Sequence, residues 1–335
     1  MNRGARIDAD DEVRAIARHL GIKQRHGLGE AIRDATIGKV ESTLTKLGIV
    51  PSSISELREV VFHTAGLRVV RIQSDEDLQD AQKKYAPELV GLPKQLELEF
   101  SRDTEAVVVR RRQNDALSNN KFVALVDARG DRNRRAWFSE WHEATHTLVP
   151  DPANKLVVRR TRLERPEPVE QVIDLTAASI GFWAPIVKPV VREEVAVGED
   201  ILKALDDSRI RIAAEASRDA AFRSLSNFVS TPIIVLWVGY DCRAADKDQP
   251  HRSLALRARS VIRNDAAIAR GLNIPVNFRI PPDSVITTAA NSNWDTRLVE
   301  DDNLWRWKDS KGRSLGPGAV KVTARGQWVA IEAAG

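Results

Sequence analysis

The sequence predicts an α+β protein in which helical and strand-forming stretches are largely segregated along the chain. Apolar residues recur at helical spacing over about residues 1–50, whereas strand-like alternation dominates between 67 and 129. Two further helical stretches, 136–150 and 170–184, are bounded by prolines. A chain of 335 residues with 42% hydrophobic residues can bury a sizeable core, and its length predicts two or three structural units.

The first fifty residues are predicted to form a small helical N-terminal region. Apolar side chains recur at helical spacing over 13–20 and again over 32–47, on either side of a glycine-containing stretch. Ser53 and Glu56 have the spacing of a capping box, which predicts the start of another helix, and Gly66 predicts its end.

Four strand-like segments follow this helix. They are LRVVRI (67–72), QLELEF (95–100), EAVVVRRR (105–112) and KFVALVDAR (121–129). The alternation is cleanest in QLELEF, where Leu96, Leu98 and Phe100 share one face and the two glutamates share the other. Such a strand is half buried, which predicts a small sheet packed against helices.

The second half of the chain is predicted to be helical over about 199–238 and mixed α+β beyond residue 246. The tail contains the strand-like segments VNFRI, AVKVTA and QWVAIEA, and a segment SLALRARSVI that suits either a helix or a strand. The predicted domain boundaries are 1–52, 53–190, 191–245 and 246–335. These ranges correspond to the helical N-terminal region, a sheet-containing domain, a helical extension and an α+β C-terminal domain with a hypothetical regulatory role.

Composition and charge exclude several classes of protein. The single cysteine, Cys242, rules out an intramolecular disulfide and every zinc site built on paired thiolates, so a tightly held metal must use His and carboxylate ligands. The longest apolar stretch, 232–240, is about half of the ~20 residues that a membrane-spanning helix requires. The first residues lack the apolar segment of a secretory signal, so we expect a cytoplasmic protein. The net charge of +4 permits contact with nucleic acid but does not require it.

Residues 142–146 carry the HExxH arrangement, with His142 and His146 four positions apart. In a helix these imidazoles lie one turn apart on the same face, so both can bind one zinc ion at about 2.0–2.1 Å. Glu143 is rotated about 100° from His142, which suits a general base better than a third ligand. Zinc lowers the pKa of a coordinated water from about 15.7 towards ~7, and a nearby carboxylate accepts its proton as the water attacks a peptide carbonyl.

A catalytic zinc site needs a third protein ligand, and Glu170 is the best candidate. It lies in the first turn of the next predicted helix, whereas Glu164 and Glu167 lie in a proline-containing extended segment with less fixed geometry. Asp174 follows Glu170 by one helical turn and is placed to accept a hydrogen bond from the outer nitrogen of a ligand imidazole. At this point Glu164 and Glu167 remain alternative ligands.

The stretch KFVALVDARGDRNRRAWFSEWHEATHTLV, followed by VEQVIDLTAASIGFWAP, resembles the ImmA/IrrE metallopeptidases. In that family a strand leads into a helix with HExxH, and the third ligand sits in a Glu-x-x-Ala-Asn/Asp stretch. The segment SISELREVVFHTAGLRVVRI is similar to the family's opening helix and first strand. The resemblance covers about residues 53–190.

The resemblance implies a zincin-like fold, in which a small twisted sheet packs on the HExxH helix and on a helix that bears the third ligand. It implies one zinc ion bound by His142, His146 and Glu170, with Glu143 as base and Asp174 behind a ligand imidazole. It also implies a substrate class, because family members typically cut or inactivate a helix-turn-helix repressor in stress or mobile-element regulation. The expected function is therefore that of a site-specific cytoplasmic zinc protease.

Other side chains are weaker candidates for a role in catalysis or in packing of the site. A donor that stabilises the tetrahedral intermediate is commonly His or Tyr, and sequence position does not select one. The candidates are His63, Tyr85, Tyr240, His251, Arg134 and Arg135. Packing that fixes the ligand helices is expected from Trp137, Trp141 and Trp183. A core or a partner surface is expected from Trp294, Trp305, Trp307 and Trp328.

A second hypothesis belongs to a different class: a non-catalytic regulator that binds protein or nucleic acid, in which the HExxH helix is structural or the metal only senses. Arginines elsewhere in the chain supply phosphate-binding charge for such a role, although solvated strand ends or a surface for an acidic partner are the better interpretation. They include Arg110, Arg111, Arg112 and Arg132. The variant Glu143→Gln separates the two hypotheses, because it removes the base and retains the ligands.

Overall fold

The structure is a computed structural model. It describes residues 3–85, 100, 104–111, 121–150, 157–161, 167–197, 200–242, 246, 248, 254–292, 298–307, 314–316 and 318–333. Within these residues the chain forms twelve α-helices and nine strands in two sheets, so the predicted α+β class is confirmed. The chain divides into two units, of which the first is Met1–Ile186 with Glu215–Ala220 and the second is Val187–Ala214 with Ala221–Gly335.

Three helices begin the first unit: α1 (Arg3–Asp8), α2 (Asp11–His19) and α3 (Leu28–Leu47). The side chain of Asp10 caps α2 by accepting hydrogen bonds from two backbone N–H groups of its first turn, at 3.1 and 3.0 Å. The carboxylate of Asp8 caps α3, because it accepts from the backbone N–H groups of Gly27 and Leu28 at 3.1 and 2.9 Å. The helical character predicted for this region is therefore confirmed.

The next elements are α4 (Ile54–Ala65), β1 (Leu67–Ile72) and α5 (Asp75–Tyr85). The Oγ of Ser53 accepts a hydrogen bond from the backbone N–H of Glu56 at 3.2 Å, as the capping-box spacing predicts. The carboxylate of Glu56 reaches the backbone N–H of Ser52 at 2.8 Å instead of that of Ser53. Gly66 ends α4 in the left-handed region with φ 62°, which glycine adopts at no steric cost.

The first sheet has four strands in the order β1-β3-β2-β4. Its other strands are β2 (Thr104–Arg110), β3 (Phe122–Asp127) and β4 (Val157–Thr161). Strand β1 runs parallel to β3, whereas β2 pairs antiparallel with both β3 and β4. The strands predicted at 67–72, 105–112 and 121–129 are thus confirmed. The segment QLELEF lies outside the described residues except for Phe100, which is buried.

Helices cover both faces of this sheet. One core cluster joins α5 to the sheet and contains Tyr85, Val107, Val109, Val123 and Leu125. Helix α6 (Asn133–Leu148) contacts β2 and β3, and the alternate residues Ala106 and Ala124 are fully buried on the face opposite α5. The sheet therefore separates α5 from the helix that carries the HExxH motif.

A buried ion pair holds the turn between β3 and α6. The carboxylate of Asp127 accepts hydrogen bonds from Arg129, at 2.9 Å from its Nη2, and from Arg132. Burial raises the pKa of Asp127, but the hydrogen bonds from the two guanidinium groups outweigh this effect and lower it below its usual value. Arg132 also donates to the carbonyl oxygen of Phe100 at 2.7 Å, so this arginine has structural partners.

Helix α7 (Pro168–Gly181) packs against α6 and against the N-terminal helices. Pro168 occupies the first turn, where its missing N–H costs no hydrogen bond. One core cluster contains Val13, Ile16 and Ile32 from α2 and α3 together with Val172 and Ile173 from α7. The N-terminal helices therefore brace the helix that bears Glu170. Helix α8 (Ala184–Val197) follows.

The second unit is built on five antiparallel strands in the order β6-β5-β9-β8-β7. They are β5 (Ile233–Asp241), β6 (Ala255–Arg263), β7 (Leu298–Asn303), β8 (Ala319–Arg325) and β9 (Trp328–Ala333). The remaining helices of the chain are α9 (Ile201–Ala213), α10 (Arg218–Leu225), α11 (Asp265–Ala269) and α12 (Val285–Asn291). The core of this unit includes Ile234, Leu236, Trp307 and Ile331.

The helical region predicted over about 199–238 is wrong at its end, where residues 233–238 belong to β5. Helices α9 and α10 form residues 201–213 and 218–225 of that region. The run PIIVLWVGY is continuously apolar because β5 lies between β6 and β9 with most of its residues buried, so it lacks the alternation that marks a half-exposed strand. The ambiguous segment SLALRARSVI forms β6, and AVKVTA and QWVAIEA form β8 and β9.

Within the part of the chain that the structure describes, no helix is both long enough and apolar enough to cross a bilayer. The longest apolar stretch of the sequence is the strand β5.

Candidate metal centre

Helix α6 places the two motif histidines side by side, as their spacing predicts. The Nε2 atoms of His142 and His146 lie 3.1 Å apart. Helix α6 is enclosed over most of its circumference, and its buried residues include polar side chains such as Ser139 and Thr145. His142 is almost completely buried, and His146 keeps 11% of its side chain exposed. The two imidazoles therefore point into a shared, largely desolvated position.

Glu170 brings the third donor atom to the same position. It lies in the first turn of α7, and its Oε2 is 3.0 Å from the Nε2 of His142 and 3.5 Å from the Nε2 of His146. Among the described residues, these three form the only group of three or more His, Cys, Asp or Glu side chains that converge closely enough to hold a metal ion. One quarter of the Glu170 side chain is exposed, so the group is open to solvent on that side.

The spacing of the three donor atoms fits tetrahedral coordination. Donor atoms at about 2.0–2.1 Å from a zinc ion in a regular tetrahedron are about 3.3–3.4 Å from one another. The three distances between the Nε2 atoms of His142 and His146 and the Oε2 of Glu170 are 3.0, 3.1 and 3.5 Å. Two nitrogens and one carboxylate oxygen also form the donor set of many catalytic zinc sites. The residues present therefore fit a divalent ion such as zinc.

Asp174 fixes the tautomer of one ligand. Its Oδ1 lies 2.8 Å from the Nδ1 of His142, and an ionised carboxylate can only accept a hydrogen bond, so Nδ1 carries the proton. In neutral His142 the Nε2 lone pair then faces the Oε2 of Glu170 at 3.0 Å, which is repulsive unless a cation lies between them. This donor arrangement is the one that a bound metal ion satisfies.

The charge state of Glu170 also suits a metal ligand. Burial raises the pKa of Glu170, but when the imidazoles of His142 and His146 are protonated, their hydrogen bonds and electrostatic attraction outweigh burial and hold it well below its usual range. The carboxylate is therefore ionised at neutral pH, which is the form that binds a cation.

Glu143 lies next to the converging group but does not belong to it. It follows His142 on α6, about 100° further round the helix, and its side chain is fully buried. Of the alternative ligands, Glu167 is exposed at the residue before α7 and does not join the group, and Glu164 lies outside the described residues.

The predicted oxyanion donors that the structure describes lie on four different elements, α4, α5, α6 and β5. Tyr85 belongs to the core on the opposite face of the sheet from α6, and His63 is exposed on α4. Arg134 is exposed, and Arg135 pairs with Glu105 at 2.8 Å. Tyr240 is part of β5 in the second unit, and His251 lies outside the described residues.

Aromatic side chains pack the two ligand helices together, as predicted. The ring of Trp137 lies 4.9 Å from that of Phe182, and the ring of Trp141 lies 5.2 Å from that of Phe62, measured between centroids. A Cβ added at Gly181 would lie 3.1 Å from both indoles, so the helices approach closely there because this residue has no side chain. Trp183 is also buried. In the tail, Trp307 is buried and stacks on Phe278, whereas Trp294 lies outside the described residues.

Sequence reasoning missed Glu140, a fully buried carboxylate on α6. Its Oε2 accepts a hydrogen bond from the Nη2 of Arg58 at 2.5 Å, and its Oε1 accepts from the Nε of Arg71. Arg71 also donates to Glu215 at 2.5 Å. A glutamate at the centre of a helix with tryptophan neighbours is the only local sign of this network, because its arginines are 82 and 69 positions away in sequence.

The chain matches no protein-family model and no curated protein sequence. The resemblance to the ImmA/IrrE metallopeptidases therefore stays a prediction that rests on the residues quoted above.

Proposed function

We propose that this protein is a zinc-dependent endopeptidase with a zincin-like catalytic domain. The observation that carries the proposal is the convergence of His142, His146 and Glu170, with donor atoms spaced as three corners of a tetrahedron. The fourth corner would then remain for water and substrate, which distinguishes a catalytic zinc site from a closed structural one. The glutamate within HExxH supports hydrolysis, because a site that only stores a metal has no use for a base.

In peptide hydrolysis each residue of the site would have a separate role. His142, His146 and Glu170 would hold the zinc ion, which supplies Lewis acidity towards the peptide carbonyl and acidifies water. Glu143 would accept the proton of the attacking water and pass it to the leaving amine. Asp174 would keep the Nδ1 proton of His142 in place, so that Nε2 stays available to the metal.

The substrate class follows from the family resemblance alone. On that basis we propose a specific cytoplasmic protein as substrate, with a helix-turn-helix repressor or a related regulator as the first candidate.

One observation favours the non-catalytic regulator as a second candidate. Glu143 is fully buried, whereas a general base must exchange protons with water and substrate. A regulator that binds the metal without hydrolysis needs the three ligands and does not need Glu143. The two candidates therefore differ in the consequence of changing Glu143.

The variants Glu143→Gln and His142→Ala test the proposal. We expect the purified wild-type chain to contain about one zinc ion, Glu143→Gln to retain it and His142→Ala to lose it, as measured by metal analysis. Glu143→Gln should also lose at least 10²-fold in cleavage rate, because the base is removed while the ligands remain. The trapping of partners with Glu143→Gln in native-host cells supplies the substrate for the rate measurement.

Two results would contradict the proposal. A wild-type chain that binds no zinc with useful affinity would exclude the protease and the metal-binding form of the regulator. A Glu143→Gln chain with full activity towards the trapped partner would exclude the protease and leave the regulator.

A further inference from the structure

Glu140 is a buried carboxylate on the motif helix for which the proposed reaction has no use. Its side chain is fully buried and pairs with Arg58 of α4, at 2.5 Å, and with Arg71 of β1. Both arginines are partly exposed, at 33% and 24% of their side chains. Residues of α4, β1 and α6 therefore meet at one carboxylate, and all three elements belong to the first unit.

The position of Glu140 on α6 follows from its spacing to the motif. It precedes Glu143 by three residues, so the two side chains lie about 60° apart around the helix axis and about 4.5 Å apart along it. The corresponding angle to His142 is about 160°. The arginines therefore hold α6 on the side away from the imidazoles and close to the Glu143 side.

Hydrophobic packing alone gives α6 a weak preference for one rotation about its axis. Its buried residues include five polar or charged side chains spread around the helix, namely Ser139, Glu140, His142, Glu143 and Thr145. A metal site tolerates errors of only about 10–20° in the direction of its ligands. A rotation of about 10° moves an atom that lies 5–6 Å from the helix axis by about 1 Å.

The two arginines oppose such a rotation. They come from different elements, and each binds a different oxygen of Glu140. Charge-assisted hydrogen bonds of this kind are short and directional, so a turn of the helix would lengthen at least one of them. Because the carboxylate is buried, water cannot replace a lost partner at low cost.

We propose that Glu140 is a positioning residue that fixes the rotation of α6 and thereby aims His142, Glu143 and His146. Arg58 and Arg71 are its anchors. This inference rests on the proposed metal site, and it adds the residues that hold the ligand helix α6 at one rotation about its axis. Glu140 itself is not among the converging donor groups.

The variant Glu140→Gln tests this role with metal binding, which requires no substrate. We expect the purified full chain with Glu140→Gln to bind Co²⁺ and Zn²⁺ about 10–100-fold more weakly than the wild type in competition with a chromophoric chelator. The visible absorption of bound Co²⁺ should also change in position and intensity, because the ligands no longer point at one tetrahedral centre. Arg58→Gln should cause a smaller loss of affinity, and Arg58→Lys should restore most of it by retaining the charge.

The variant Asp200→Asn is the control. Asp200 is also a buried carboxylate, and it pairs with Arg325 at 2.7 Å, but both residues belong to the second unit and neither lies on an element of the metal site. Asp200→Asn should lower the stability of the chain and leave the Co²⁺ affinity and spectrum of the folded protein unchanged. This comparison separates positioning of the ligands from a general loss of stability.

Each outcome decides the proposal. Wild-type Co²⁺ affinity and spectrum in Glu140→Gln would overturn it, while metal binding by the wild type would still support the proposed function. A wild type that binds no metal would overturn both, and this result would be seen without any variant. If Glu140→Gln does not fold, Arg58→Gln and Arg71→Gln decide, because unchanged metal binding in both would overturn the role of Glu140 and weaker binding would support it.

Discussion

Asp174 is the single residue whose effect on the metal site is easiest to isolate. Its Oδ1 contacts the Nδ1 of His142 at 2.8 Å, and its side chain is 39% exposed on α7. Removal of this carboxylate leaves the three ligands in place. It also leaves the Nδ1 proton of His142 without its acceptor, so the imidazole loses its fixed tautomer and part of its basicity.

We therefore expect Asp174→Ala to weaken zinc binding by about 10–100-fold, and Asp174→Asn by less because its amide oxygen still accepts a hydrogen bond. Competition between the protein and a chelator of known affinity measures the effect. The control is Glu167→Gln, which removes an exposed carboxylate at the residue before α7 and should leave zinc affinity unchanged. An equal loss of zinc affinity in the Asp174→Ala and Glu167→Gln variants would contradict the role of Asp174.

At the residue scale the sequence predicts what depends on local spacing. The pair His142 and His146 needs only one helical turn, and Glu170 needs only a helix that begins at Pro168. Glu140 could not be predicted in the same way, because its partners Arg58 and Arg71 become neighbours only when α4, β1 and α6 have assembled. The role of a buried glutamate can be inferred only when the groups that neutralise its charge are known.

At the scale of elements, the approach of α7 to α6 depends on Gly181. A Cβ at this position would lie 3.1 Å from the indole rings of Trp137 and Trp141, which are buried and packed against other aromatic rings. We expect Gly181→Ala to lower the free energy of unfolding by about 1–2 kcal/mol, because the overpacking outweighs the better helix propensity of alanine. Zinc affinity should fall with it, since Glu170 reaches the two imidazoles from the same helix.

Gly38 provides the matched control for Gly181→Ala. It lies in α3, is exposed, and a Cβ at this position would meet nothing within 4 Å. Gly38→Ala should therefore stabilise the chain by about 0.5–1 kcal/mol and leave zinc binding unchanged. Urea unfolding and zinc competition measure both variants, and a Gly181→Ala chain as stable as Gly38→Ala would show that the indole rings move aside without cost.

Helix α6 and strand β5 show why the type of a buried element is difficult to predict from sequence. Helix α6 is buried on most sides and has no clear apolar stripe, so its prediction depended on the prolines that follow it. Strand β5 has a continuous apolar run, which periodicity alone does not distinguish from a buried helix. Its position between β6 and β9 is set by pairing with residues that follow it in the chain.

For the whole molecule, acid stability depends in part on the buried carboxylate of Asp127. The pKa of Asp127 is lowered in the folded chain by Arg129 and Arg132, so the unfolded chain binds a proton first as the pH falls. The stabilisation by this ion pair is thus fully present above the unfolded pKa of about 3.9 and is lost as the pH falls through the folded value. We expect the wild type to be more stable than Asp127→Asn at pH 7, and this difference to shrink as the pH falls below about 4.

Urea unfolding of both proteins between pH 2 and pH 7 measures this convergence. The control is Asp75→Asn, since Asp75 also pairs with Arg129, at 2.5 Å, but is 81% exposed. An exposed partner of this kind should contribute less than about 0.5 kcal/mol at any pH. A constant difference between wild type and Asp127→Asn across the whole range would show that charge is not the source of the stabilisation.

The topology of the whole chain was the part least accessible to sequence analysis. Strand β1 pairs with β3 and not with the next strand along the chain, and β2 lies between β3 and β4. Strand propensity identified β1, β2 and β3 but contains no information on their order. Likewise, the sequence predicted helices over the first fifty residues, but their packing against α7 depends on contacts such as that of Ile32 with the cluster around Val172.

Because α6 forms only within the folded first unit, the concentration of free zinc should affect the stability of the folded chain. A sixteen-residue segment of this composition is not a stable helix in isolation, so its ligands meet Glu170 only after the first unit has assembled. On the proposed function, zinc binds the native chain in strong preference to the unfolded one. A free zinc concentration one hundred times the dissociation constant would add about 2.7 kcal/mol to the free energy of unfolding. A shortage of zinc would therefore remove the activity and also increase the unfolded fraction of the protein that proteases can degrade.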